Sequence, residues 1–288
     1  MRSLLFVPGH DERKLAKGLE SGADVLIVDL EDGVPEAEKP RARGMCAEFV
    51  SAHRAQSHVY VRINALSTGL TLDDLAAVAR SAPHGVMLPK SAGGRDVAQV
   101  DAYLSALEKR DGVEVGSIRI LAIAESAAAT FDMGSYARDA GSRLSGILWG
   151  GEDLATDVGA AANRASGLYT PPFQLARSLC LLGAGAAGVA AIDAVYVDFR
   201  NLEGLRAESL EALAAGFSAK AAIHPAQVQV INEVFTPSDE AHAQATAIID
   251  AFAQNPEKGA LIVGGRMVER PHLRAAHRVI QRAQEDRA

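Results

Sequence analysis

The stretch Val25-Leu26-Ile27-Val28-Asp29-Leu30-Glu31-Asp32 joins an uninterrupted apolar run to a cluster of carboxylates, and a helix-like segment follows it. The same arrangement recurs along the chain. Apolar residues 59–61 lead to Arg62, residues 118–124 lead to Glu125, and residues 148–149 lead to Gly-Gly-Glu-Asp at positions 150–153. Buried strands that repeatedly present a charged side chain at their carboxyl end are typical of a barrel with an active-site rim.

The alternation of strand and helix patterns predicts eight strand–helix units within residues 1–235. The predicted strands are residues 4–7, 25–30, 59–63, 85–88, 118–124, 146–149, 194–197 and 221–223. Predicted helices include residues 11–20, 95–109, 173–182 and 203–214, and Thr71 is predicted to cap another. This number of units predicts an α/β protein of the (β/α)8 TIM-barrel type, because the competing doubly wound open sheet usually stops at five or six strands.

Residues 236–288 contain a helical pattern, a short apolar piece at 260–263, a Gly264-Gly265 turn and a last helical pattern. This is too little to form an independent domain. We therefore expect a short C-terminal helical extension that packs on the barrel or on a neighbouring subunit.

The composition is that of an ordinary globular protein, with 48% hydrophobic and 23% charged residues. The formal net charge is -7 and no basic stripe is evident, so a nucleic-acid partner is not expected. No stretch has the pattern of a signal peptide or a membrane span, which predicts a cytoplasmic location. Cys46 and Cys180 lie in helix-like stretches without metal-ligand spacing, so no disulfide is predicted.

A glycine-rich motif at residues 183–188 matches the G-x-G-x-x-G dinucleotide fingerprint. That fingerprint requires a strand before it and a helix after it, so that the pyrophosphate meets a helix N-terminus. Here a predicted helix precedes the glycines and a predicted strand follows them. The motif is therefore interpreted as a helix end that continues into a loop.

Glu125 and Asp153 follow two consecutive predicted strands, at the positions that open onto the rim. Carboxylate oxygens suit Mg²⁺, which accepts few protein ligands and completes its octahedron with water and substrate. Two rim acids held only by salt bridges are the alternative interpretation. The sequence leaves both interpretations open.

Three further rim residues each allow a structural and a functional interpretation. Arg62 could be paired by Glu31 and Asp32, or its guanidinium could stabilise a carboxylate or a developing enolate. Lys90 could be an ion-pair partner or a Schiff-base lysine. For His224, a structural role with a hydrogen bond to a backbone carbonyl is favoured.

With these residues the chain resembles the citrate lyase β-subunit family, within the wider HpcH/HpaI aldolase and malyl-CoA lyase group. The resemblance extends in order along nearly the whole chain. The matching segments are residues 2–9 (RSLLFVPG), 22–24 (GAD), 29–32 (DLED), 61–64 (VRIN), 88–90 (LPK), 124–126 (AES), 149–154 (WGGEDL) and 223–225 (IHP).

The resemblance implies a TIM barrel that cleaves or forms a carbon–carbon bond between a 2-oxoacid and an acyl-thioester enolate. It implies that Glu125 and Asp153 bind Mg²⁺ and that Arg62 contacts the substrate. Phe6 and Lys17 match positions that touch the thioester or CoA portion, and Ile223 borders the same pocket. Glu31 and Asp32 match acids around the water shell of the metal and the arginine. Trimers and hexamers are common in the family.

Two departures from the family pattern stand out. Asp11 replaces an arginine that family members often carry after the Pro-Gly turn, so one possible phosphate contact is missing. Glu269 stands where thioester-acting relatives carry an aspartate, which is supplied to a neighbouring subunit's site as an acid/base group. The extra methylene of Glu269 could displace its carboxylate by more than an ångström.

These observations predict a Mg²⁺-dependent lyase that cleaves a 3-hydroxyacyl thioester, such as citryl-, malyl- or citramalyl-CoA, into an acyl thioester and a 2-oxoacid. The thioester could be carried by CoA or by an acyl-carrier protein, and the backbone amides from Gly151 to Asp153 would hold the oxoacid carboxylate. Two alternatives stay open. One is a Schiff-base aldolase that uses Lys90, and the other is a non-catalytic assembly subunit of a citrate lyase-like complex.

Overall fold

The structure is a computed structural model and describes residues 1–285. Eight parallel strands close into a barrel in the order β1-β2-β3-β4-β5-β6-β9-β10, with β10 paired back to β1. Two short antiparallel hairpins, β7–β8 and β11–β12, stand outside it. The strands are β1 (Ser3–Pro8), β2 (Val25–Asp29), β3 (His58–Arg62), β4 (Gly85–Leu88), β5 (Arg119–Ala124), β6 (Leu144–Trp149), β7 (Arg164–Ala165), β8 (Leu168–Tyr169), β9 (Ala190–Asp193), β10 (Ala219–Ala222), β11 (Ala260–Val263) and β12 (Arg266–Glu269). The predicted TIM barrel is confirmed.

Helices follow the strands and surround the barrel. They are α1 (Glu12–Leu19), α2 (Lys39–His53), α3 (Thr71–Val78), α4 (Gly94–Asp111), α5 (Ala127–Phe131), α6 (Ser135–Asp139), α7 (Gly151–Asp157), α8 (Pro171–Ala187), α9 (Leu202–Ala215), α10 (Pro225–Phe235), α11 (Asp239–Gln254) and α12 (Arg270–Glu285). Within residues 1–285, none of them combines the length and the apolar character needed to cross a bilayer.

Successive side chains of the barrel strands point alternately inward and outward, and they form two apolar cores. The inner core fills the barrel with residues such as Ile27, Tyr60 and Ile123, and the outer core lies between the strands and the helices. Because alternate residues share a face, Asp29 and Glu125 continue the inward-facing series at the carboxyl ends of β2 and β5. The strand pattern therefore aims these polar side chains into the mouth of the barrel.

Two predicted strands are displaced from their predicted positions. The strand predicted at 194–197 lies at Ala190–Asp193, and the strand predicted at 221–223 lies at Ala219–Ala222. Each strand contains a charged residue, Asp193 in β9 and Lys220 in β10. The sequence pattern instead suggested that each strand begins after this residue. The two side chains form a buried ion pair of 2.6 Å, which makes their burial tolerable.

Two local predictions concern helix ends. Thr71 is not the cap of α3: Leu70 occupies that position, and the Thr71 hydroxyl donates to the carbonyl of Asn64 instead. The glycine motif forms the last turn of α8 and ends at Gly188, whose φ of 68° closes the helix. A helix thus precedes these glycines and β9 follows them, as the sequence predicted.

The C-terminal residues form more than helices, because β11 and β12 make a hairpin between α11 and α12. Ile248, Phe252 and Val268 belong to a small apolar cluster that is separate from the two barrel cores. Ile262 and Met267 on the hairpin remain 80% and 69% exposed. The segment from Asp239 to Glu285 therefore has its own small core and a hairpin whose Ile262 and Met267 stay exposed among the described residues.

Candidate active site

A cavity of about 290 Å³ opens at the carboxyl ends of the barrel strands. Most of the side chains that the sequence singled out meet there. Its lining includes Phe6, Asp29, Arg62, Glu125, Gly151 and Asp153. With Glu152 also in its lining, the cavity combines a guanidinium with four carboxylates, at the end of a TIM barrel where active sites are built.

Arg62 is held rigidly at the base of this cavity. Its Nε and Nη2 atoms each donate a 2.7 Å hydrogen bond to Asp29, and its Nη1 lies 3.0 Å from Glu31 Oε2. The guanidinium also lies over the Phe6 ring, 4.8 Å from the centroid. Burial alone would lower the pKa of Arg62, but Asp29 and Glu31 raise it, so the side chain is a fixed positive charge.

The sequence interpretation missed Asp29 as the main partner of Arg62. It proposed Glu31 and Asp32, but Asp32 contacts Lys90 at 3.0 Å instead. The parallel register, which pairs Asp29 with Arg62, explains the contact. Had that register been assigned first, the pair would have been predictable from the inward alternation of β2 and β3.

Glu31 follows the end of β2. Lys39 holds its backbone carbonyl, and Arg62 lies against its carboxylate. The buried ammonium of Lys39 donates to the carbonyls of Leu30 and Glu31, at 2.9 and 3.0 Å. Burial raises the pKa of the Glu31 carboxyl, despite the nearby Arg62. Among the residues that the structure describes, its buried Oε2 accepts no hydrogen bond and meets Arg62 only as an ion pair. This oxygen retains the capacity to accept a hydrogen bond from a bound water or substrate.

Glu125 is only 5% exposed, and its Oε1 accepts a 2.8 Å hydrogen bond from the backbone N–H of Lys90. Burial raises the pKa of Glu125 to about 8, and the negative charge of Asp153 adds to the effect. The space beside it is closed by Gly150, because a Cβ there would lie 2.5 Å from Glu125 Oε2. Glu125 therefore has one defined position, close enough to Asp153 for the two charges to repel.

Lys90, two residues after the end of β4, adopts the left-handed backbone conformation with φ of 51°. Such strain in a non-glycine residue is concentrated at functional sites. The ammonium lies 2.5 Å from Glu31, 3.0 Å from Asp32 and 3.5 Å from Asp153. Burial would lower the pKa of Lys90, but Glu31 and the other carboxylates raise it. A lysine that stays protonated is a poor nucleophile, which argues against the Schiff-base role.

The segments that carry Glu125 and Asp153 are tied together behind the cavity. The carboxylate of Asp157 in α7 accepts a 2.7 Å hydrogen bond from the N–H of Ala127 in α5. Trp149, just before the Gly-Gly turn, donates from its indole to Asp193 at 2.8 Å. The first contact joins the segments that carry the two acids, and the second joins β6 to β9; neither uses the carboxylate of Glu125 or Asp153.

The donor set suits a hard divalent cation. In the part of the chain that the structure describes, no three His, Cys, Asp or Glu side chains are arranged to enclose a metal. Two carboxylates that repel each other, beside an oxygen of Glu31 without a hydrogen bond, instead fit an ion that takes its other ligands from water and substrate. Mg²⁺ has this preference, so the residues present fit it.

A second cavity, of about 680 Å³, adjoins the first and shares Phe6 and Ile223 with it. It lies beside α1 and is lined by Lys14, Lys17 and His224. Glu20 also lines it, so its charged side chains are net positive, whereas those of the first cavity are net negative. The structure thus places the predicted thioester-binding residues Phe6 and Lys17 along one continuous surface that leads to the Arg62 cavity.

Two further residues considered from the sequence, Glu269 and His224, lie outside the lining of the Arg62 cavity. Glu269 lies on β12, exposed, and lines neither cavity. His224 has a structural role as the cap of α10, but its Nδ1 accepts from the N–H of Ala226 rather than bonding to a carbonyl. Its ring also stacks on Phe199, with centroids 4.8 Å apart.

Comparison with known proteins agrees with this geometry. A family model described as HpcH/HpaI aldolase/citrate lyase matches residues 2–225. The chain belongs to this family. The match covers all eight barrel strands and both cavities, and it confirms the resemblance found from the sequence motifs.

Relatives of this family member match along almost its whole length. A citrate lyase subunit beta-like protein of Mycobacterium tuberculosis is 36% identical, over 98% of this chain and 95% of the relative. The mitochondrial citramalyl-CoA lyase of Rattus norvegicus is 33% identical, over 97% of this chain and 85% of the relative. A crystal structure of CitE from Mycobacterium tuberculosis, in complex with magnesium, acetoacetate and coenzyme A, superposes with a TM-score of 0.78 at 33% identity and covers 98% of both chains.

Proposed function

We propose that the protein is a Mg²⁺-dependent carbon–carbon lyase that cleaves a 3-hydroxyacyl thioester into an acyl thioester and a 2-oxoacid. The observation that carries this proposal is the joining of two unlike cavities. The acidic cavity with Arg62 suits a chelating oxoacid and a cation, and the adjoining basic cavity suits an elongated anionic thioester. The relatives named for citramalyl-CoA cleavage, and the CitE complex with magnesium, acetoacetate and coenzyme A, support the same chemistry.

In the cleavage direction a base removes the proton of the substrate hydroxyl, and the adjacent carbon–carbon bond breaks. The oxygen becomes the carbonyl of the 2-oxoacid, and the electron pair of the broken bond goes to the thioester as an enolate. A proton then converts the enolate to the acyl thioester. The reaction develops negative charge on oxygen, so fixed positive groups near that oxygen supply the largest rate effect.

Glu125 and Asp153 would hold the Mg²⁺, and Glu31 and Asp32 would contact its water ligands. When bound, the ion supplies Lewis-acid stabilisation to the oxygens of the oxoacid. Arg62 supplies a second fixed charge, whose position Asp29 sets with two hydrogen bonds. The backbone at Gly151 lines the same cavity and would bind the oxoacid carboxylate.

Phe6 separates the two halves of the substrate in this proposal, because its ring lines both cavities. Lys17 lies in the larger cavity, where its ammonium would meet phosphate or carboxylate groups of the thioester carrier. Citryl, malyl and citramalyl groups linked to CoA or to an acyl-carrier protein all satisfy these requirements.

We further propose that the protein is a cytoplasmic homo-oligomer, a trimer or hexamer, in which Glu269 serves a neighbouring subunit as the acid/base group. The support is the position of Glu269 on an exposed hairpin with uncovered Ile262 and Met267. A carboxylate there cannot serve the cavity of its own chain, whose lining does not include it.

The test is a lyase assay of the purified protein against malyl-, citramalyl- and citryl-CoA, with Mg²⁺ and with EDTA. We expect oxoacid release with at least one substrate, only when Mg²⁺ is present. The variants Glu125→Gln and Asp153→Asn should lose both this activity and the thermal stabilisation by Mg²⁺. Asp139→Asn removes an exposed acid outside the cavity and should change neither.

Other outcomes would separate the remaining possibilities. Full activity of Glu125→Gln in EDTA would refute the metal assignment. Release of free CoA without an oxoacid would indicate thioester hydrolysis instead of carbon–carbon cleavage. Stabilisation by oxaloacetate and Mg²⁺ without turnover of any thioester would favour the non-catalytic subunit.

A further inference from the structure

A cavity of about 310 Å³ lies at the amino ends of β3, β4 and β5, at the opposite end of the barrel from the proposed active site. Its side-chain lining is strongly basic. The polar and charged residues that line it are Arg54, His58, Tyr60, His84, Ser117 and Arg119. Within residues 1–285, no carboxylate is part of this lining.

The two arginines have free hydrogen-bonding capacity. Arg54 follows the end of α2 and is exposed, and within residues 1–285 its guanidinium makes no ion pair and no side-chain hydrogen bond. Arg119 begins β5, and the one hydrogen bond that its guanidinium makes among the described residues is a 3.4 Å contact to the carbonyl of Leu144. A guanidinium carries five N–H donors, so most of these donors are available to a ligand.

The two histidines add directed donors. The Nδ1 atom of His84 accepts a hydrogen bond from the N–H of Val59 at 3.2 Å, so its Nε2 must carry the ring proton. The rings of His58 and His84 lie 4.5 Å apart at an angle of 34°. Burial lowers the pKa of His84, and the nearby His58 and Arg54 lower it further. Two arginines and two histidine rings are thus gathered around one cavity.

A bound anion would account for this cluster. We propose that the cavity binds a phosphate group, either free or as part of a small phosphate-bearing metabolite. The arginine forks match the geometry of phosphate oxygens, and the Nε2 donor of His84 adds a further directed contact. Small-molecule pockets begin at about 300 Å³, so this cavity has room for a pyrophosphate or a phosphate monoester. The site is separate from the proposed lyase cavity and does not depend on it.

Isothermal titration calorimetry of the full-length protein tests the proposal. The probes are sulfate, inorganic phosphate, pyrophosphate and glycerol 3-phosphate, where the last two distinguish a polyphosphate from a phosphate ester as the preferred ligand. We expect saturable binding of at least one phosphate-bearing probe. The variant Arg54→Gln/Arg119→Gln should weaken it at least tenfold. Lys109→Gln removes one exposed charge near the same end of the barrel, without lining the cavity, and should bind as the unmodified chain does.

Two further arms keep the result interpretable. Lys17→Gln alters the other basic cavity and should leave the affinity unchanged. If the double variant does not fold, exposed Arg54→Gln alone should still lower the affinity severalfold.

Three results would overturn the proposal. They are no binding at millimolar concentration, equal binding by the arginine variants, and loss of binding in Lys17→Gln but not in Arg54→Gln. The last result would place the anion in the thioester-binding cavity. Lyase activity, where the protein shows it, should be unaffected by Arg54→Gln, because this residue lies at the other end of the barrel.

Discussion

Replacing Gly150 by alanine would test whether the position of Glu125 controls the site. Gly150 has φ of -120° and ψ of 113°, which alanine adopts without strain, so only the space for a methyl group is at issue. That Cβ would lie 2.5 Å from Glu125 Oε2 and 2.7 Å from Glu125 Cβ. Ordinary contact begins near 3.4 Å, so the two groups must separate by about 0.7–0.9 Å.

The separation must come largely from Glu125. Its side chain is 5% exposed, and its Oε1 is held by the N–H of Lys90 at 2.8 Å, so rotation into solvent is blocked. A displacement near 1 Å in a catalytic site costs on the order of 10²-fold in rate. Overpacking of this kind costs about 1–3 kcal/mol in the free energy of unfolding, which corresponds to roughly 2–4 °C in Tm for each kcal/mol in a chain of this size.

The assay has two readouts, lyase turnover and the thermal shift caused by Mg²⁺. We expect Gly150→Ala to lose about 10²-fold in turnover and most of the Mg²⁺ response, while its fold is retained. Gly44→Ala is the matched control, because Gly44 lies within α2 with nothing inside 4 Å of the added methyl. It should keep full activity and gain about 0.5–1 kcal/mol in stability. Unchanged Mg²⁺ binding and turnover in Gly150→Ala would refute the reasoning.

Three other predictions follow from single contacts. Arg62→Lys cannot reproduce the paired hydrogen bonds to Asp29, so kcat/KM should fall by at least about 10²-fold; steady-state kinetics near those of the unmodified chain would contradict this. Lys220→Met leaves the buried carboxylate of Asp193 without its 2.6 Å partner and should cost about 3–5 kcal/mol in urea unfolding; a loss below about 1 kcal/mol would contradict it. Burial would raise the pKa of Asp193, but Lys220 and its other cationic partner lower it, so its stabilisation is present above the unfolded value near 3.8 and is lost as the pH falls further. Trp149, the single tryptophan, donates a hydrogen bond to Asp193, so its fluorescence should report that loss below about pH 4. A stability that does not change between pH 5 and pH 2 would refute this prediction.

Six strands of the barrel were predictable from sequence because they are continuous apolar runs buried on both faces. For the same reason, charged residues directly after these runs, such as Arg62 and Glu125, could be assigned to one rim from the sequence pattern alone. What the pattern could not give was the local geometry. The left-handed backbone of Lys90, the close approach of Gly150 to Glu125 and the ammonium of Lys39 beneath Glu31 depend on packing between segments distant in sequence.

The partner of Arg62 and the two displaced strands share one physical cause, which is strand register. Asp29 pairs with Arg62 across β2 and β3, and Asp193 pairs with Lys220 across β9 and β10. In each case an acid and a base occupy matched positions on adjacent parallel strands, where neither would be tolerated alone. The sequence pattern gives no information on register. The partner of Arg62 and the bounds of β9 and β10 were therefore predicted wrongly.

The two pairs differ in the face of the barrel that they occupy, and this difference decides what each can do. Asp29 and Arg62 follow the inward series at the mouth, so one face of the guanidinium meets the cavity and remains available to a substrate. Asp193 follows inward-facing Ile192 and so points outward, where Arg177 and Glu208 complete a closed network around Lys220. The same chemical pair thus lines an open cavity when it points inward at the carboxyl end, and forms a structural clamp when it points outward beneath the helices.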